Sequence, residues 1–338
     1  MSASLVDWTG AVRTGARLAP LGPRLTPAEA GQVVDELRTL SAVAELTVRE
    51  VTGLGAGLPV AQAHVVDRPG WVAATAEGMA LLTEPLERRL QRGSDRPQKV
   101  SSVGGSQVGA VLGFLSGKVL GQFDPVVGEG RLLLVAPNIV KVERELEADP
   151  TDFRMWVCLH ESTHRLQFTA VPWLREYFRD LTRQFGEAAE LDARELVRRL
   201  RSALGRNGAA GESWIERVQT PAQREIFDRV MALMTLLEGH ADHVMDAVGP
   251  RVIPSVAAIR RSFTERRRKG SSPMDRVLRS LLGMDVKMSQ YVKGEKFVSA
   301  VVGAHGMAAF NQVWTSPETL PTRDEIADPE AWAQRVLP

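Results

Sequence analysis

Cysteine is almost absent from this chain. The single residue, Cys158, excludes an internal disulfide framework, so stability has to come from an ordinary hydrophobic core. Tyrosine is nearly as scarce, with two in the chain, so few phenolic hydroxyls are available as donors to a reacting group. Excess charge of either sign is also missing: 42 Lys and Arg stand against 41 Asp and Glu. A net charge of +1 gives no field over the whole molecule to attract nucleic acid or an anionic membrane, and neither is expected as a partner. Long apolar runs are lacking too. The most hydrophobic stretch, Val108 to Phe123, is shorter than the roughly 20 residues of a membrane span and is interrupted by Lys118. Met1 to Asp7 has neither the basic start nor the apolar run of a signal peptide, so a cytoplasmic location is expected.

What remains is a chain of ordinary globular balance, 338 residues with 44% hydrophobic and 25% charged, enough for one large domain or two modest ones. Its first part reads as helices. "TPAEAGQVVDELRTLSAVAELTVREVTGL" opens with Thr26 as N-cap, Pro27 at the first helical position and Glu29 closing a capping box, and it ends near Gly53. "VVDRPGW" reads as a turn, a further helix runs through "TEPLERRLQR", and "GSDRPQ" is a polar connection. The expected division is an N-terminal helical lobe, 1–98, packed on a larger region, 99–338, as one compact unit.

In "GGSQVGAVLGFLSGKVLGQF" glycine recurs at 105, 109, 113, 117 and 121. In a helix each costs about 0.5 to 1 kcal/mol relative to alanine, so the missing side chains must serve something. Close approach of another helix is the first reading and the wall of a ligand cleft the second. "RLLLVAPNIVKV" predicts a strand near 131–142, with Pro137 placing it at a sheet edge. The expected fold class is mainly α, a large helical body beside a small β element.

The next helix, predicted over 151–171 with Asp149 as cap and Pro150 in the first turn, carries "VCLHESTHRLQF". At about 100° per residue His160 and His164 share one face with Phe153, Val157 and Gln167, and Glu161 can reach the same centre. Arg154, Ser162 and Arg165 form a narrow polar sector on a helix that is otherwise apolar nearly all round. The segment could be a core helix that spells this motif by chance. Burying two imidazoles and a carboxylate without partners would cost several kcal/mol, however, and a zinc ion suits two neutral imidazoles on successive turns.

A third ligand has to come from elsewhere. A helix predicted over 220–248 starts with a capping box of Thr220 and Gln223 around Pro221, and Gly249-Pro250 stops it. Glu238 lies on its apolar stripe of Phe227, Met231, Met234, Ala241 and Met245, a costly place for a lone carboxylate, and is the candidate. Asp242, one turn later, is the candidate to accept the remaining N–H of a ligating histidine. His240 and His243 project away from Glu238 and read as outer-site or surface residues. Cys158 faces opposite His160 and reads as a buried apolar residue.

"HESTH" followed by "EGHAD" on a later helix resembles the gluzincin metallopeptidases, in which a Glu on a second helix completes HExxH and an Asp follows four residues on. "VVDRPGW", "VLGQFDP", "LVAPNI", "LHESTHRLQF", "LLEGHADHVMD", "KMSQYVKGEKFV" and "VWTSPETLPTRDEIADPEAW" together resemble the zincin-like metallopeptidase type 2 family, from about Val6 to Val336. That group is mostly actinobacterial, and one branch is associated with biosynthesis of the deazaflavin coenzyme. The resemblance implies a mostly helical zincin-like fold and one Zn2+ per chain at His160, His164 and Glu238, with Glu161 as catalytic glutamate. It implies no particular substrate.

The expected activity is that of a zinc metallopeptidase or amidase: Glu161 activates a zinc-bound water for attack on an amide carbonyl and passes the proton to the leaving nitrogen. A zinc hydrolase acting on a small molecule of deazaflavin metabolism and a zincin-fold binding protein with little turnover are the alternatives. For the oxyanion, Tyr177, Tyr291 and a few histidines are available, and Tyr291 is the candidate donor. A peptide substrate would lie extended along the strand "LLLVAPNIV", with Val135 and Asn138 as its contacts. The basic run of Arg260, Arg261, Arg266, Arg267, Arg268 and Lys269 reads as a solvated helix end, or else as a site for a phosphate or a carboxylate-rich ligand. The proline-punctuated segment 315–338 is expected to wrap the surface.

Overall fold

The computed structural model describes residues 6–92, 102–188, 221–269 and 284–337. It is mainly helical with one small sheet. In chain order the elements are α1 (Trp8–Leu18), α2 (Pro27–Thr52), β1 (His64–Val66), α3 (Arg68–Arg92), α4 (Ser102–Ser116), β2 (Gly121–Asp124) and β3 (Arg131–Val135). Then follow α5 (Ala136–Glu145), α6 (Pro150–Ala170), α7 (Leu174–Ala188), α8 (Pro221–Val248), α9 (Val256–Lys269), α10 (Met284–His305), α11 (Met307–Phe310), α12 (Arg323–Ala327) and α13 (Pro329–Val336).

Local chemistry sets most boundaries. Thr26 Oγ1 accepts from Glu29 N while Glu29 accepts from Thr26 N at 2.7 Å, and Gly53 closes α2 in the left-handed region at φ 71°. "VVDRPGW" ends strand β1 and starts α3: Asp67 accepts the Gly70 N–H at 2.7 Å and Pro69 occupies the first turn. The connection at 93–98 lies outside the described residues.

The glycine repeat divides between two roles. On α4, a Cβ at Gly105 would stand 2.5 Å from the Asp7 carbonyl oxygen and one at Gly113 2.8 Å from that of Gly15, so these positions let α4 press on the backbone of α1. Gly121 lies on β2 instead and faces Glu161.

The sheet runs β1-β3-β2, with β1 parallel and β2 antiparallel to β3. Two expectations are corrected here. The strand ends at Val135 rather than near 142, and it is the central strand rather than an edge. Pro137 misled the edge reading, because it serves the first turn of helix α5, where no N–H is needed and its fixed φ fits. After Arg131, β3 is apolar from Leu132 to Val135 because both faces are covered there. Leu133 and Val135 pack with Trp71, Val72, Ala76 and Leu112, while Leu132 and Leu134 enter the main core with α2, α6 and α8.

Helix α6 runs through that core. Asp149 caps it through the Asp152 N–H, and even its polar sector is enclosed. Arg154 pairs with Glu143 at 2.6 Å and with Glu36 of α2, and Arg165 pairs with Glu45 of α2. Val33, Leu37, Ala44 and Val48 of α2 belong to the same core as α6, so the N-terminal segment helps to build the body that holds the candidate site. The C-terminal segment does more than wrap the surface: Trp332 is fully buried against Phe297 and Phe310 and donates to the Thr319 carbonyl at 2.8 Å. Among the described residues no helix is long and apolar enough to cross a membrane.

Candidate metal centre

Three ligand-type side chains converge where α6 crosses α8. His160 and His164, one turn apart, bring their Nε2 atoms to 3.2 Å from each other. Glu238 Oε2 lies 3.6 Å from His160 Nε2 and 3.8 Å from His164 Nε2. Zinc–ligand bonds of about 2.0 to 2.1 Å in a tetrahedron require ligand atoms about 3.3 Å apart, so this donor set fits a zinc ion with little movement. Among the described residues it is the one group of three His, Cys, Asp or Glu side chains spaced to hold a metal. Glu238 is 8% exposed, and α10 packs tightly on α8 beside it, backbone against backbone at Gly239 and Gly294.

Electrostatics agree with a site built for a cation. Burial of the His164 ring works against a proton, but the Glu238 carboxylate outweighs it, with help from Glu161 and Gln167, and the pKa rises to about 9. Two carboxylates facing two imidazoles leave a place where positive charge is stabilised. Burial, reinforced by the Glu161 and Glu36 carboxylates, pushes the Cys158 thiol up, consistent with an inert apolar residue.

The three residues open into a cleft of about 520 Å3. One wall is β2, an edge strand, through Gly121, Gln122 and Phe123; another is α6 with Trp156, Glu161 and Phe168. Glu161, 7% exposed, lies against Gly121. A larger depression of about 920 Å3 between α8 and the C-terminal segment is rich in paired charges such as Arg323 with Asp228, but among the described residues it has no set of ligating side chains.

The other expected residues are placed as follows. Asp242 lines the cleft, and its backbone carbonyl accepts from Arg260, which also pairs with Asp246 at 2.7 Å. Val135 and Asn138 do not line the cleft. Val135 is fully buried, and Asn138 accepts from Arg68 at 2.7 Å and donates to the Ser116 and Val119 carbonyls, tying α3, α4 and α5 together. The Tyr291 side chain lies outside the described residues, as do those of Arg266 to Lys269. Tyr177 lies in the larger depression, under the Arg229 guanidinium. His243 is half-buried and meets Ser299 at 2.8 Å. His240 departs from the surface reading: it is fully buried, stacked on Phe310 at 5.3 Å, and burial lowers its pKa to about 3, so it is neutral.

Gln167 was visible on the histidine face but had no assigned role. It accepts from His164 Nδ1 at 2.9 Å and reaches across to α8, where its amide nitrogen meets the Leu237 carbonyl at 2.9 Å and His240 Nδ1 at 3.0 Å.

A helical body with a His-His-Glu centre over an edge strand defines a metalloenzyme of zincin type. Residues 6–333 match the model of the zincin-like metallopeptidases, and the chain belongs to that family. The family implies zinc binding and a hydrolase. A crystal structure of "a putative hydrolase with a novel fold" from Chloroflexus aurantiacus is similar over 98% of both chains, with 33% identity and a TM-score of 0.71. A search of curated proteins gave no match.

Proposed function

We propose that the protein is a zinc-dependent amide hydrolase of the gluzincin kind, acting on peptides. The observation that carries this reading is the meeting of His160, His164 and Glu238 beside Glu161 in a cleft bounded by an edge strand. His160 and His164 through Nε2 and Glu238 through its carboxylate would hold one zinc ion, whose chemistry would be to acidify a water and polarise a carbonyl. Glu161 takes the proton of the attacking water and delivers it to the leaving nitrogen. Gly121, by lacking a side chain, leaves room for the Glu161 carboxylate on the cleft side of α6.

The free edge of β2, rather than β3, is the proposed support for an extended substrate backbone. Phe123 stacks on Phe168 at 5.9 Å, and Phe168 meets Phe178 edge-on at 5.6 Å, all three in the cleft lining. This aromatic wall favours a substrate with an apolar side chain next to the scissile amide. Tyr291 stays the proposed oxyanion donor and Asp242 a proposed support of the ligand shell.

The test is a peptide library presented to zinc-loaded wild-type protein and to Glu161→Gln. Cleavage next to apolar residues, lost in the variant while zinc is retained, is the expected result; cleavage undiminished in the variant would contradict the role of Glu161.

A further inference from the structure

The hydrogen bonds of Gln167 determine which nitrogen of His164 can carry a proton. The two ends of its amide are similar in shape but opposite in hydrogen-bonding sense, and the residue is fully buried. One end lies 2.9 Å from the Leu237 carbonyl oxygen, which can only accept, so that end must be the NH2 group. The acceptor oxygen is then the end turned to α6, where it meets His164 Nδ1 at 2.9 Å. A neutral His164 must therefore keep its proton on Nδ1 and present the Nε2 lone pair towards His160 and Glu238.

Turning the amide over would set its oxygen against the Leu237 carbonyl, two acceptors in contact at a fully buried position. The second amide hydrogen is also used. His240 Nδ1 accepts it at 3.0 Å, which leaves the His240 proton on Nε2 and the ring held between Phe310 and Trp314. All three hydrogen-bonding directions of the Gln167 amide that matter here are thus occupied from fixed helices. Leu237 is also the residue directly before Glu238, so the same amide links the two ligand-bearing helices at the level of the site.

We propose that Gln167 is the positioning residue of the metal centre: the Leu237 carbonyl orients its amide, and the amide in turn holds His164 in the tautomer that ligates through Nε2. The role assigned from sequence to a carboxylate is filled for His164 by a neutral amide on its own helix. The proposal rests on the zinc reading above. It separates from a packing role because packing concerns the stability of the fold, whereas orientation concerns the affinity and geometry of the bound ion.

The test compares wild type with Gln167→Leu and with Gln167→Met, whose flexible chain fills the same space if leucine is not tolerated. Zinc affinity is measured by chelator competition, ligand geometry by the visible spectrum of the cobalt form, and the melting temperature on metal-free protein. The expected result is a loss of about 10- to 100-fold in zinc affinity in both variants, with altered cobalt bands. Unchanged affinity and spectrum would overturn the proposal, even with a lower melting temperature, and leave Gln167 a packing residue. Nitrogen-15 NMR of zinc-loaded wild type needs no variant: the expected His164 signal is an exchange-protected Nδ1–H, and coordination through Nδ1 refutes the idea. Failure of wild type to bind zinc is a separate result that removes the metal centre itself and the proposal with it.

Discussion

Gly121 of β2 and Glu161 of α6 lie so close that a methyl group on the glycine would stand 2.5 Å from Glu161 Cγ and 2.8 Å from its Oε1. The glycine is there to leave room for the carboxylate, not to supply an unusual backbone, since its φ is outside the left-handed region.

Gly121→Ala is therefore expected to fold and to bind zinc as wild type does, yet to displace Glu161. A shift of about 1 Å in a reacting group costs on the order of 100-fold in rate. Steady-state kinetics against zinc content distinguish this from a metal defect; wild-type turnover in the alanine variant would show that the contact is incidental.

The proton on His164 gives opposite pH slopes with and without metal. In the metal-free protein its pKa is raised from the ordinary 6.5 to about 9, so it contributes stability that is fully present below 6.5 and is lost as pH rises through about 9. Zinc competes with that proton, so its affinity should increase over the same interval, and binding at pH 7.5 should release a proton. Calorimetry in buffers of different ionisation enthalpy measures the release. A binding enthalpy independent of buffer contradicts the assignment.

Breaking a buried ion pair on the metal helix should be costly. Arg154 is 8% and Glu143 4% exposed. Glu143→Ala leaves the guanidinium with Glu36 alone, at an expected loss of about 3 to 5 kcal/mol in denaturant unfolding. Arg154→Met together with Glu143→Leu should recover most of this. A double variant as weak as the single one argues that the pair itself stabilises the fold.

Two glycines on helices should respond with opposite sign. Gly31 is exposed on α2 with nothing near a would-be Cβ, so alanine there should stabilise by about 0.5 to 1 kcal/mol. A Cβ on Gly109 would meet the Ala11 carbonyl oxygen and push α4 off α1, so Gly109→Ala should lower the melting temperature. Equal effects at the two positions would mean that the close helix approach is absent in solution.

Much of the site was legible because its signals are local. HExxH fixes two histidines and a glutamate on one side of a helix, and Glu238 stood out as a carboxylate on an apolar stripe. Gln167 shared the histidine face, but its role depends on the Leu237 carbonyl and His240, and contacts across helices leave no trace in spacing. Of the two readings of His240, outer-site and surface, only the surface one fails, and for the same reason: its cover, Phe310 and Trp314, arrives from far along the chain. Strand β2 is four residues long between Leu120 and a glycine-rich turn, too short for alternation to show. Pro137 is equally at home at a sheet edge and in the first turn of a helix, and only the pairing of β3 on both sides decides between them.

The claim on which the rest depends is that α6 and α8 together grip one zinc ion. Elemental analysis of chelator-stripped protein reloaded with zinc, for wild type and Glu238→Ala side by side, tests it most directly. One zinc per wild-type chain is expected, with most of it lost in the folded variant; folded wild-type protein that takes up no zinc, or a variant that holds it as well, would contradict a zinc centre shared by the two helices.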